Sequence, residues 1–218
     1  MPSISQKSFK LLEGLAENNE REWFKARKDE FDEHLLTPFA EIIENLSGRL
    51  DAEGLTFSGG RDTMFRMQRD TRFSKDKSPY KTSVSGMLTP SGTKAENQGC
   101  VYLHLSPFES FAAFGRYNLD AKALGPIRDK IIERSDRFGE IMAQLKEDGH
   151  DLMREMSLSS MPRGFAEHAD HEHAAELKLK SMMVRMELPR DFWLHGEVVP
   201  AVAHATGECF NFIQFVAD

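Results

Sequence analysis

The chain has 218 residues, 40% of them hydrophobic and including 16 Phe and 11 Met, enough for one ordinary domain with a sizeable core. Its formal charge of −7 argues against a general polyanion binder, and no uncharged apolar run approaches the roughly 18 residues of a membrane span. Cys100 and Cys209 stand in no metal or redox spacing, and the opening "MPSISQKSFKLL" has no secretory pattern. These features predict a cytoplasmic protein, with no membrane partner and both thiols in the core. No repeat, low-complexity tract or linker interrupts the chain, so a single domain over residues 1–218 is expected.

The first third reads as helix. Asn19 followed by Glu22 has the form of a capping pair, in which Asn accepts from a free amide at a helix start. Phe24, Phe31 and Leu35 recur at helical spacing, and Trp23 and Phe24 read as core anchors. Thr37-Pro38 restarts the helix, because the first turn has no use for the N–H that proline lacks. Leu35, Phe39, Ile42, Ile43, Leu46 and Leu50 form one apolar stripe, and Gly54 closes it.

From Phe65 the period changes. Phe65, Met67 and Phe73 alternate with Arg66, Gln68, Asp70 and Arg72, the repeat of a strand covered on one face. "SKDKSPYK" reads as a loop, Tyr80 to Gly86 as the returning strand, and "CVYLHLS" and "FESFAAFGRY" as two more. Their short connections favour antiparallel pairing, since parallel neighbours need crossovers. Helical stripes follow at Leu124, Ile127 and Ile131, then at Phe138, Ile141, Met142 and Leu145. A Pro/Gly-rich passage, the acidic "AEHADHEHAAELKLK", a strand "SMMVRMEL" and a helix with Phe210, Phe212, Ile213 and Val216 finish the chain. This order specifies an α+β fold, an antiparallel-rich central sheet flanked by N-terminal and C-terminal helices.

Charge is segregated along the chain. Arg61 to Thr82 carries seven cations against three anions, a net +4, which leaves −11 on the remainder. Two like charges 4 Å apart repel by roughly 1 kcal/mol in water and about 4 kcal/mol at a half-buried surface. Arg66, Arg69, Arg72, Lys75, Lys77 and Lys81 therefore predict a strand–loop–strand site for a phosphate-bearing or other anionic small ligand. Tyr80 would line it. Asp70 and Asp76 would orient the cations, and their arginine neighbours hold them ionised, which suits orienting more than proton donation. Two alternatives stand beside this reading. The hairpin could contact an acidic partner or a nucleic-acid backbone without catalysis, although net acidity and a lack of interleaved exposed aromatics disfavour nucleic acid. Otherwise, acidic helices could neutralise the cations as a purely structural ion-pair cluster.

"RDTRFSKDKSPYKT", preceded by "ENNEREWF" and followed by "MPRGF" and "LKLKS", resembles the family designated domain of unknown function 2461. The likeness runs from about Phe9 to the final helix. It implies a mixed α and β fold and carries no activity with it. Its characteristic positions correspond to Asn18, Asn19, Trp23 and Phe24, then Arg69, Asp70, Arg72, Phe73, Lys75, Asp76, Lys77, Tyr80 and Lys81. Members tend to have a glycine-rich passage after the central strands, where this chain has "SFAAFGRYN" with Gly115 alone.

Three histidines offer further chemistry. His104 shares a strand face with Tyr102 and suits acid/base work beside a bound anion, against the plainer reading of a hydrogen-bonded sheet residue. His168 and His171 in "HADHEH" could face one metal, although no second ligand pair accompanies them and a solvated helix start accounts for them equally. There is no phosphate-binding glycine loop, nucleophile elbow or dinucleotide fingerprint, so the sequence specifies no cofactor, reaction or oligomeric state.

Overall fold

The apolar stripe from Phe31 to Leu50 folds as one helical rod made of α3 (Lys28–Phe31), a π turn (Asp32–Leu36) and α4 (Thr37–Ala52). The structure is a computed structural model and describes residues 4–94 and 98–217. Proline explains the wide turn. Pro38 has no N–H for the carbonyl of His34 four residues back, and its ring crowds that carbonyl, so the helix widens instead of restarting. Ser8, fully buried on α1 (Gln6–Glu17), donates its hydroxyl to the freed His34 oxygen at 2.5 Å. The fresh start expected at Thr37-Pro38 is thus a continuous rod completed by one side chain. Gly54 ends the rod as expected. At φ +78° it lets the Leu55 N–H reach the Leu50 carbonyl at 2.8 Å, while its own N–H reaches Asp51 at 3.0 Å.

Asn19 caps no helix. Glu20 precedes α2 (Arg21–Lys25) and makes no side-chain cap bond, and Asn19 is directed elsewhere. The chain continues through β1 (Val84–Leu88), β2 (Cys100–Leu105) and β3 (Phe111–Arg116). Next come α5 (Ala121–Glu133), α6 (Ser135–Glu147), α7 (Ala174–Leu177), β4 (Met182–Glu187), α8 (Arg190–His195) and α9 (Val198–Val216). The strands form an antiparallel sheet in the order β1-β2-β3-β4, and the fold is α+β. Ser85 of β1 sits opposite His104 of β2, and Met87 opposite Tyr102. Along β2, Val101, Leu103 and Leu105 are buried while Tyr102 and His104 keep part of their surface in water.

The strand expected over Phe65–Phe73 is not a regular strand. Residues 64–83 form an irregular hairpin, with isolated bridges joining Met64 to Gly86 of β1 and Gln68 to Tyr80. Its backbone bonds run from Phe65 N–H to Ser85 (2.8 Å), Lys81 N–H to Met67 (2.7 Å) and Arg69 N–H to Pro79 (2.9 Å), where the pairing stops.

Contacts divide the chain into two compact units. The first comprises Met1–Lys94, Val101–Ala112 and Glu187–His204. Its core includes Phe9, Leu12, Phe31, Leu35, Phe39, Ile43 and Trp193, each contributing about 1.5–3 kcal/mol by leaving water. The rings of Phe39 and Trp193 stack with centroids 6.0 Å apart. Arg190 lies 4.1 Å over Phe9 and pairs with Glu13 at 2.9 Å, which ties α8 to α1. Trp23 is only half-buried, with the Arg27 guanidinium 4.2 Å over its ring.

The second unit comprises Ala95–Cys100, Ala113–Met186 and Ala205–Asp218. Phe114, Ile131, Phe138, Val184 and Phe212 are buried in it, and Phe138 meets Phe215 at 5.2 Å. Buried Arg128 donates to the carbonyls of Leu177 (2.7 Å) and Leu179 (3.2 Å). Lys130 reaches the carbonyls of Phe215 and Ala217, placing a cation on the negative end of α9. Gly115 has φ +124°, and a Cβ there would overlap the Met182 carbonyl, so this position of β3 requires glycine. Both cysteines are buried, and burial pushes the Cys209 thiol far up. No described helix is long and apolar enough to cross a membrane.

Candidate anion site

One side chain fastens the basic hairpin to the N-terminal helices. Asn19 Nδ2 donates to the Tyr80 carbonyl at 2.9 Å, and the Tyr80 N–H donates back to Asn19 Oδ1 at 3.0 Å. The ring of Tyr80 is buried and stacks on Phe24 with centroids 4.1 Å apart. Tyr80 is therefore an anchor at the root of the hairpin, with its ring set against α2.

Beyond that root, two aspartates bend the apex. Asp70 Oδ1 accepts from the Arg72 N–H at 3.2 Å, and Asp76 Oδ1 accepts from the Ser78 N–H at 2.9 Å, so each carboxylate closes a local turn. The same carboxylates hold arginines. Arg72 grips Asp70 through Nε (3.0 Å) and Nη2 (2.7 Å), while Arg69 pairs with Asp76 and reaches Ser74 Oγ at 3.5 Å. The Ser78 hydroxyl, followed by Arg69, holds the Asp76 carboxyl far below its usual range. Hydrogen bonds from Arg72 lower the Asp70 carboxyl as well, with the charge of Arg66 adding to them. Lys77 Nζ donates to the Thr71 carbonyl at 2.9 Å. The turns carry Phe73 out of the alternation that predicts it inside, and its ring is 93% exposed.

The inner cations are a different matter. Lys81 is half-buried; burial lowers its ammonium pKa first, and the charges of Arg66 and Arg69 lower it further. Among the described residues no carboxylate pairs with Arg66, Lys75 or Lys81, although Asp32 takes up Arg61. The six predicted cations thus separate into an apex where Arg72 has a carboxylate and Lys77 a backbone carbonyl, an exposed Lys75, and a group of half-buried Arg69 and Lys81 with exposed Arg66, in which, among the described residues, Arg69 alone has a carboxylate.

A ring from β2 and a further lysine border this group. The ammonium groups of Lys81 and Lys94 lie 5.8 and 5.9 Å from the centroid of Phe65, and the Tyr102 ring lies 6.1 Å from it. Sequence reasoning misses Lys94, which follows a turn and shares no periodicity with the hairpin. It also places Phe65 inside, whereas the ring is half-exposed. His104 lies one strand beyond Ser85, the residue whose carbonyl accepts from Phe65, and its Nδ1 is 3.4 Å from the Tyr102 hydroxyl. His168 and His171 belong to the second unit, with rings edge-on at 6.1 Å. No group of three or more side chains able to hold a metal occurs among the described residues.

The family model described as "Conserved hypothetical protein (DUF2461)" matches residues 7–215. The chain belongs to the DUF2461 family. No curated protein and no solved structure matches it. In this DUF2461 member the positions expected to characterise the family do three separate jobs. Asn19, Phe24 and Tyr80 root the hairpin, Asp70 and Asp76 shape its apex, and Lys81 stands as a half-buried cation with no carboxylate among the described residues.

Proposed function

We propose that this DUF2461 protein binds a small phosphate-bearing or otherwise anionic ligand at Arg66, Arg69 and Lys81, with Lys75, Lys77 and Arg72 supplying outer positive charge. One observation carries the reading. The half-buried Lys81 ammonium stands beside two guanidinium groups and has no carboxylate partner among the described residues. A partly desolvated cation among like charges is unfavourable in the free protein, and a phosphate oxygen would relieve it. Thermal-shift titration with inorganic phosphate and pyrophosphate tests the idea. Both should raise the melting temperature of the wild type, and Lys81→Met should remove that response while the ligand-free protein melts no lower. A wild type indifferent to both anions overturns the reading.

A second reading has its own support. The exposed Phe73 ring between Arg72 and Lys75 suits a docking tip for an acidic partner or a nucleic-acid backbone. Docking on nucleic acid would show a steep salt dependence, about one logarithmic unit of slope per phosphate neutralised, and would fail in Phe73→Ala. The small-ligand site has a shallow salt dependence and is insensitive to Phe73→Ala.

A further inference from the structure

Half-buried rings occupy the outer face of the sheet where it meets the hairpin. Phe65 lies 6.1 Å from Tyr102, Tyr102 lies 6.3 Å from His104 and 6.0 Å from Phe111, and His104 stacks on Phe111 at 4.8 Å and 16°. All four belong to the first compact unit. Each keeps part of its surface in solvent, although Val101, Leu103 and Leu105 on the opposite face of β2 are covered. On this face β1 contributes the buried Ser85 and Met87, and a solvent-facing stretch of sheet ordinarily carries polar residues. Here it carries a contiguous aromatic surface, bordered at Phe65 by the ammonium groups of Lys81 and Lys94.

Aromatic pairs across neighbouring strands do stabilise a sheet by themselves. That accounts for the rings and leaves the charges at their edge unexplained. One ring attracts one ammonium readily. A second ammonium near the same ring, with no carboxylate for either among the described residues, concentrates positive charge at this edge that a bound anion would offset. Aromatic surface beside cations that have no carboxylate among the described residues is complementary to a molecule with a flat π-system at one end and a phosphate at the other.

We infer that the ligand of this site is a nucleoside phosphate, its base lying on the Phe65–Tyr102 side of the aromatic surface and its phosphate on Lys81 and the guanidinium groups of the anion site, with Lys94 adding charge beside Phe65. The inference rests on the anion-site reading above and narrows it. Stacking of a base on such rings is tolerant of base identity, so the site favours nucleotides as a class. It distinguishes a nucleotide from a sugar phosphate carrying the same anion.

Calorimetric titration of the full chain with AMP, ribose 5-phosphate and inorganic phosphate tests this. AMP should bind about fivefold to a hundredfold more tightly than ribose 5-phosphate, the range expected for one stacked base. Phe65→Leu, which keeps apolar bulk, should erase that advantage and leave ribose 5-phosphate binding unchanged. Should Phe65→Leu fail to fold, Lys94→Ala at an exposed position should weaken AMP severalfold, and the adenine H2 and H8 protons should shift upfield in the presence of wild type. Equal affinity for AMP and ribose 5-phosphate overturns the inference while the anion site stands. Binding of none of the three overturns both. A short single strand that binds where AMP does not overturns the mononucleotide assignment.

Discussion

Replacing Asn19 with alanine removes both hydrogen bonds that root the hairpin, at 2.9 and 3.0 Å, and strips the backbone of Tyr80 of its partners. A net protein hydrogen bond contributes about 0.5–1.5 kcal/mol, so two give about 1–3 kcal/mol. The site is part-buried, so water recovers some of the loss, and about 2 kcal/mol is expected. For a chain of this length that corresponds to about 4–8 °C in melting temperature. Urea titration followed by circular dichroism measures the first quantity, and the midpoint should fall with the slope unchanged. Asn19→Asp, which keeps the acceptor and loses the donor, should fall between alanine and wild type. Lys81 follows Tyr80 directly, so phosphate affinity should weaken in parallel. The reasoning is refuted if Asn19→Ala stays within about 0.5 kcal/mol of wild type, the ordinary range of surface substitutions, and binds phosphate as well as before.

Further outcomes are expected at Lys81, Gly115 and Ser8. Lys81 has a folded pKa below its unfolded one, so its charge penalises the free fold at lower pH, and the penalty disappears as pH rises to the ordinary lysine range. Phosphate binding needs that charge, so affinity measured by calorimetry should fall as pH rises through the depressed value. Lys81→Met should leave ligand-free stability unchanged or higher by about 0.5 kcal/mol, after discounting for solvent screening. Gly115→Ala forces a side chain against the Met182 carbonyl at positive φ and should destabilise by about 2 kcal/mol or more in a urea melt. Ser8→Ala leaves the His34 carbonyl without its donor and should lose about 1–3 kcal/mol in the same assay.

Periodicity made the helices and the inner strands legible. The stripe ending at Leu50 and the stop at Gly54 needed only side-chain spacing and backbone freedom, and both are where those rules put them. The α+β class followed from the grouping of periods. The hairpin was less legible, because its shape depends on side chains bonding to nearby backbone. Alternation places Met67 inside correctly, misplaces the half-exposed Phe65, and fails from Asp70, where a carboxylate captures the Arg72 amide and turns the chain just before Phe73. Asn19 misled for a related reason. Its amide suits a cap as well as it suits the backbone of Tyr80, and only the tertiary fold chooses between partners 61 residues apart and a few residues apart. The pairing of Asp70 with Arg72 lies two residues along the chain and is local enough to read. The isolation of Lys81 is a property of the whole surroundings, which one segment does not encode.

The two tryptophans of this chain, Trp23 and Trp193, both lie in the first compact unit. Indole emission therefore reports the melting of that unit and is silent about the helices from Ala121 to Glu147. Far-ultraviolet dichroism sees both units at once. Superimposable denaturation curves from the two signals would mark a single cooperative block, and separated curves would reveal two that melt in turn.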